Sequence, residues 1–475
     1  MKKYQIIVIG GGAGGLTVAA GAASMGATVA LIEKEKQLGG DCLHYGCVPS
    51  KAFIEASKMI YSAKKAADEL GVSVYGQASL KVAMEKVKAA IADIQVHDSS
   101  ERFQKLGVAL YYGVGHFIDS HHIQVGNGDI IYGKRIVIAT GSKPAIPPIE
   151  GIQEINYLTN ESIFNLEKTP KRMAVIGGGH IGLELGQAFA RFGTSVTVLE
   201  PSSSIMNNAD EEIKPYLNRA LDKEITLKLN TNVLKVENVG NDKLLTIKVD
   251  GKEETLPAEQ VLIAAGRKAN IESLHLDHAS ITTNNGYITV NDYLQTSQKH
   301  IFAIGDAIGS FPFTHAAGME GKVAISNAIF GLKQKVNYES MPWVTYTDPE
   351  VFHLGMTENE ARQQYGNKII IYKVGLDMVD RFIAEREKDG ILKVITDKRG
   401  YILGAHAVGK GAGDWMQELV YAKQHGHKIG SISKVIHPYP TRGSIVQRAA
   451  DQYWREKLFE SKLGLLLKKY VQWFR

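Results

Sequence analysis

Residues 5–15 read Gln5-Ile6-Ile7-Val8-Ile9-Gly10-Gly11-Gly12-Ala13-Gly14-Gly15, an apolar run that stops on glycines. A helical stretch follows to about Ser24, and Thr28–Ile32 reads as a second strand ending in Glu33. Strand, glycine turn, helix and strand make a βαβ unit. Gly10, Gly12 and Gly15 let the backbone approach a pyrophosphate at the helix N-terminus, and the acid closing the second strand takes a ribose hydroxyl. The unit recurs: Met173–Ile176 leads into Gly177, Gly179 and Gly182, then a helix, then Ser195–Leu199 and Glu200. Gly10 to Glu33 and Gly177 to Glu200 are each 23 residues. Two such units imply two dinucleotides and a doubly wound α/β fold; glycine turns that serve packing alone are the competing reading.

At 475 residues the chain has room for about three domains. Its 44% hydrophobic and 22% charged content is that of an ordinary globular protein. No apolar run is long enough for a bilayer span, and the basic start Met1-Lys2-Lys3 enters a strand rather than a signal peptide. Two cysteines without an export signal point to the cytoplasm. Of the net charge of +5, residues 455–475 carry most, with six Lys/Arg against two Glu. The remainder is nearly neutral, which argues against a nucleic-acid partner.

Both cysteines fall in Gly39-Gly40-Asp41-Cys42-Leu43-His44-Tyr45-Gly46-Cys47-Val48-Pro49-Ser50-Lys51. Along a regular helix five residues advance roughly 7.5 Å, whereas a disulfide wants its Cα atoms about 4.4–6.8 Å apart. A bridge therefore needs Cys42 in a bend before the helix, with Gly46 easing the turn. Pro49 suits a first helical turn, so Cys47 falls at the helix N-terminus, where free N–H groups favour a thiolate. That describes a redox-active pair; two unpaired buried cysteines are the alternative.

The segment Gly-Gly-x-Cys-x-x-x-x-Gly-Cys-x-Pro-Ser-Lys resembles the active site of the flavin-dependent pyridine nucleotide–disulfide oxidoreductases, the family of lipoamide dehydrogenase, glutathione reductase and mercuric reductase. The resemblance implies two Rossmann-like domains, for FAD and NAD, and a C-terminal α+β dimerisation domain in a homodimer. The expected boundaries are 1–148 and 270–342 for FAD, 149–269 for the nicotinamide, 343–450 for dimerisation and 451–475 for a basic helix. Further matches are Thr140-Gly141 after a strand, Gly266 closing the second unit, and the strand ending in Gly305-Asp306, whose carboxylate would accept ribityl hydroxyls. Gly40, His315 and Ala316 are further expected flavin contacts; His315 as a packed neighbour is an equal reading. The resemblance further implies that Cys47 faces the flavin and Cys42 meets substrate. Lys51 then lies near the reactive flavin edge with Glu184 as its ion-pair partner, against the reading of two solvated surface charges. His97-Asp98 is read as a solvated helix face.

Three departures bear on the acceptor. His180 stands where several relatives place a tyrosine gate. In Ile436-His437-Pro438-Tyr439-Pro440-Thr441-Arg442-Gly443-Ser444, alignment on Pro440-Thr441 puts Tyr439 at the base position and Ser444 at the orienting acid. A phenol accepts protons poorly near neutrality, so general-base help is missing unless the loop shifts His437 into place. Finally, mercuric reductase needs a further C-terminal cysteine pair, and this chain has none, so no metal site is expected. The acceptor is therefore a small molecule or a disulfide. A lipoamide dehydrogenase, a mercuric reductase-like metal or quinone reductase, and a redox-sensing flavoprotein all stay open. Glu200 with Pro201-Ser202-Ser203-Ser204 offers no arginine for a 2′-phosphate, so NADH is preferred over NADPH. In the tail, Phe459, Leu463, Leu466, Leu467, Tyr470, Val471 and Phe474 fall at helical spacing, flanked by Lys462, Lys468, Lys469 and Gln472. This predicts an amphipathic helix, packed on the protein itself or lying on the inner face of an anionic membrane.

Overall fold

The computed structural model describes every residue except 127, 461 and 475, and gives only the backbone of residues 460, 462 and 463. Lys462 and Leu463 of the expected tail stripe therefore lie outside the described side chains. Residues 1–199 and 231–336 form one compact unit; residues 200–230 and 337–475 form another.

In the first unit, Lys2–Ile9 is a central strand with Val29–Glu33 and Ile130–Ile138 parallel on either side. Val108–Tyr112 and Ile301–Ala303 extend this sheet, again in parallel. Strands buried on both faces need continuous apolar sequence, and Ile6, Ile7, Val8, Val137 and Ile138 supply it. Helix Ala13–Ser24 packs under the glycine turn. A Cβ on Gly10 would sit 2.3 Å from the Ala139 carbonyl oxygen, and one on Gly15 would sit 1.8 Å from that of Gly10. The second βαβ unit repeats this: Arg172–Ile176 lies between Ser195–Leu199 and Gln260–Ile263. There a Cβ on Gly177 would meet Ala264 at 2.4 Å, and one on Gly182 would meet Gly177 at 2.1 Å. Three antiparallel strands, Thr231–Val239, Asp242–Val249 and Lys252–Ala258, complete the region.

Helix Cys47–Leu70 is fixed by aromatic packing: Phe53 stacks on Phe192 with centroids 5.1 Å apart and meets Phe189 at 4.8 Å. These two phenylalanines sit at the end of helix His180–Arg191 and just beyond it, so the redox helix is keyed to the second βαβ unit.

In the second unit a five-stranded antiparallel sheet runs Pro342–Thr345, Glu350–Gly355, Ile402–Gly409, Ile391–Asp397, Ile369–Gly375. Lys393, 2% exposed, reaches Asp210 at 2.8 Å, Glu358 at 2.5 Å and Glu212 at 3.2 Å, which ties the segment 200–230 to this sheet. Helix Ser444–Arg455 buries Ile445, Val446, Ala449 and Ala450. A widened turn, Glu456–Glu460, then leads to helix Lys462–Trp473. Along this helix Leu466, Val471, Trp473 and Phe474 stand exposed, Trp473 by 81%. No described helix is long and apolar enough to cross a membrane.

Candidate active site

Gly39 (φ 117°) and Gly40 (φ 61°) turn the chain into a short helix, Gly40–His44, so Cys42 lies on a helical turn rather than in a plain bend. A side chain on Gly40 would collide with Gly12, since a Cβ there would sit 2.7 Å from the Gly12 Cα. The Gly39 N–H donates to the Gly11 carbonyl at 2.8 Å. The redox loop is thereby fastened to the first glycine turn. Tyr45 and Gly46 N–H groups then close on the Asp41 carbonyl at 2.8 and 2.6 Å, and Cys47 opens the next helix.

Cys42 is half-buried and Cys47 exposed, and each thiol acts on the other's ionisation. Their mutual interaction is the largest influence on both. It pushes Cys42 up, with burial adding to the effect, and brings Cys47 down to about 6. The Thr314 hydroxyl, 3.3 Å from Cys47 Sγ, and the Lys51 ammonium also lower Cys47, against burial and Asp41. Cys47 is thus the thiolate and Cys42 the proton-bearing partner. Lys51 Nζ donates to Glu184 Oε2 at 2.9 Å, with Glu184 buried. A buried carboxylate requires such a partner.

The half-buried His180 ring is edge-on to Phe313 at 6.0 Å, and Phe313 stacks on the exposed His315 at 5.5 Å. Burial holds His180 below its ordinary pKa and favours the neutral ring; Glu184 opposes this and Lys51 adds to it.

The residues present fit two dinucleotides. Gly12 and Gly179 cap the N-termini of their helices, and a Cβ on Gly179 would meet nothing within 4 Å, so packing does not explain that glycine. The hydroxyl of Thr140, next to Gly141, is buried without a hydrogen-bond partner. Glu33 Oε2 accepts from the Gly11 N–H at 2.6 Å, and Glu200 Oε1 from Ser202 at 3.0 Å, so each acid braces the chain around its own site. Gly266 has positive φ (117°) and open space around it. Ala316 is buried in helix Thr314–Phe330. Ser142 Oγ donates to the Asp306 carboxylate.

A model of the pyridine nucleotide-disulphide oxidoreductases matches residues 4–321, and one of that family's dimerisation domain matches 341–450. The chain belongs to this family. It is 35% identical to a mercuric reductase of Bacillus cereus over 92% of this chain and 69% of that protein. It is 32% identical to a dihydrolipoyl dehydrogenase of Bacillus subtilis over 94% of this chain and 97% of the other. Among solved structures it resembles RclA, an HOCl-induced flavoprotein disulfide reductase of Escherichia coli, with a TM-score of 0.84 at 24% identity over 95% of this chain and all of that one. The protein is therefore an FAD-dependent disulfide oxidoreductase, and its dimerisation domain supports a homodimer.

The second unit corrects one expectation. His437 does have a carboxylate: its Nε2 lies 2.9 Å from Glu418 Oε2, and its Nδ1 lies 3.1 Å from the Val435 carbonyl oxygen. The acid comes from helix Gln417–Gln424, not from position 444. The His437 ring is only 11% exposed, unlike a free surface imidazole, whereas Tyr439 is 78% exposed. Thr314, Glu418, Asp41 and Arg267 were all missed by sequence reasoning. Asp41, Arg267 and Thr314 adjoin Cys42, Gly266 and His315, whereas Glu418 carried no local signal.

Proposed function

We propose that this enzyme oxidises NADH and delivers two electrons to a Cys42–Cys47 disulfide, whose dithiol then reduces a small-molecule or disulfide acceptor. NADH and one proton yield NAD⁺ and two thiols, and the acceptor takes up both electrons as the disulfide re-forms. The observation that carries this reading is the turn closed on the Asp41 carbonyl, which sets Cys47 at the head of its helix with the Thr314 hydroxyl 3.3 Å from its Sγ and its thiol lowered to about 6. Bound FAD would supply the two-electron relay between nicotinamide and disulfide. Gly10, Gly12, Gly15, Glu33, Gly40, Thr140, Gly141, Asp306, His315 and Ala316 would hold it, with Lys51 at its reactive edge. Gly177, Gly179, Gly182, Glu200 and Gly266 would hold the nicotinamide cofactor. Glu200 repels a 2′-phosphate, which supports NADH over NADPH.

A second reading concerns the acceptor. The His437–Glu418 pair supplies an oriented imidazole, the part that disulfide reduction of the lipoamide type needs and that Tyr439 lacks. With two cysteines in this chain, one subunit by itself cannot offer four thiolates to a mercuric ion. The exposed apolar face of the tail, with Lys468 and Lys469, fits docking on an anionic membrane surface. Steady-state NADH consumption with lipoamide, glutathione disulfide, quinones and metal ions tests the reading. Sustained turnover with one of them supports it, and reduction without turnover marks a redox sensor instead.

A further inference from the structure

One guanidinium lies between the redox loop and the carboxylate at the end of strand Ile301–Ala303. Arg267 Nη2 is 3.3 Å from Asp41 Oδ2, one residue before Cys42, and its Nε is 3.6 Å from Asp306 Oδ2. The same side chain donates to Ser142 twice, through Nε to Oγ at 2.6 Å and through Nη2 to the carbonyl at 3.0 Å. Ser142 in turn donates to Asp306. On the other side of Asp41, Asn160 Nδ2 reaches Oδ1 at 3.1 Å and the Tyr45 carbonyl at 3.2 Å. Gly46 is needed for this fit, since a Cβ there would sit 2.9 Å from Asp41 Oδ2. Arg267 is 17% exposed, so its planar fork is held rather than free in solvent.

We propose that Asp41 and Arg267 are positioning residues that lock the Cys42–Cys47 loop to the flavin-side carboxylate Asp306. The inference rests on the thiol pair being the redox centre. Asp41 fixes the geometry of the turn through its carbonyl and both side-chain oxygens. It does so next to two thiols that its negative charge disfavours as thiolates, while Lys51 favours the thiolate at Cys47. Arg267 offsets that charge and is shared with Asp306, so disturbance at either carboxylate reaches the other through one side chain. The arrangement explains how an acid is tolerated beside Cys42.

The test uses full-length enzyme reduced with dithiothreitol, with two readouts: the pH midpoint of iodoacetamide alkylation of the thiols, and FAD retention followed by released flavin fluorescence. Arg267→Met raises the midpoint by about half a unit, about three-fold less thiolate below it, and weakens FAD retention by about ten-fold. Adding Asp41→Asn to Arg267→Met returns the midpoint towards wild type but leaves FAD weakly held, because Asp306 still lacks the guanidinium beside it. Should Arg267→Met fail to fold, Asp41→Asn alone still lowers the midpoint, and Arg267→Lys loses FAD with a smaller midpoint change than Arg267→Met would give. An unchanged midpoint in Arg267→Met, or in Asp41→Asn where the former does not fold, overturns the proposal. So does a double variant whose midpoint is no nearer wild type than that of the single one. Wild-type thiols that NADH cannot reduce would sink the redox reading instead, and alkylation after dithiothreitol is independent of that result.

Discussion

Replacing Thr314 by Val removes the hydroxyl that lies 3.3 Å from Cys47 Sγ and keeps the shape of the side chain. In the reduced enzyme this hydroxyl donates to a thiolate, and a hydrogen bond to a charged group is worth about 1.5–3 kcal/mol when buried. Cys47 is exposed, so water replaces part of that bond and about 1 kcal/mol remains, or roughly 0.7 of a pKa unit. Starting from about 6, the Cys47 midpoint moves into the upper sixes. At pH 6.5 the thiolate fraction then falls from about three-quarters to about two-fifths. The sign follows from the lowered value: the thiolate forms as pH rises through the midpoint, so the variant needs a higher pH to reach the same signal. The assay is the long-wavelength thiolate–flavin absorbance of the two-electron-reduced enzyme, titrated between pH 5 and 9. Thr314→Ser retains the donor and should retain the wild-type midpoint. Equal midpoints for Thr314→Val and wild type would refute the assignment of Thr314 as a thiolate donor.

Three further outcomes follow from other parts of the molecule. If His437 is the base, His437→Ala lowers disulfide reduction by about 10²–10⁴-fold while NADH-driven flavin reduction persists, and Tyr439→Phe changes little; the opposite ranking of these variants returns the base position to Tyr439. Deleting the residues after Lys457 should abolish partitioning onto anionic liposomes and spare NADH oxidation, and unchanged partitioning would end the membrane reading. Lys393→Met strands the buried Asp210 and should destabilise the second unit by about 3–5 kcal/mol in denaturant unfolding, more than Lys373→Met at an exposed pair.

Much of this was legible because it is local. The glycine turns announce themselves: Gly15 and Gly182 meet the carbonyls of Gly10 and Gly177, five residues back, and that requirement is written into the spacing. Lys51 and Glu184 were paired through resemblance, though the chain separates them by 133 residues. The sheet 231–258 was not anticipated, since Thr231–Val239 is half-exposed and its few apolar positions give no clean alternation. Glu418 was overlooked because an acid was sought after the histidine, whereas a helix 19 residues earlier provides it. The contacts of Arg267 with Asp41 and of Thr314 with Cys47 join residues more than two hundred positions apart, and no periodicity signals such a meeting.

The central claim is that NADH reduces a Cys42–Cys47 disulfide, with Cys47 the thiolate beside the flavin. Anaerobic NADH titration of wild type, Cys42→Ser and Cys47→Ser, followed by long-wavelength absorbance and thiol counting, tests it most directly. The account predicts that wild type develops the thiolate absorbance together with two new thiols, that Cys42→Ser shows it before any NADH is added, and that Cys47→Ser never shows it. Absorbance retained in Cys47→Ser and lost in Cys42→Ser, or no new thiols in wild type, would contradict the account.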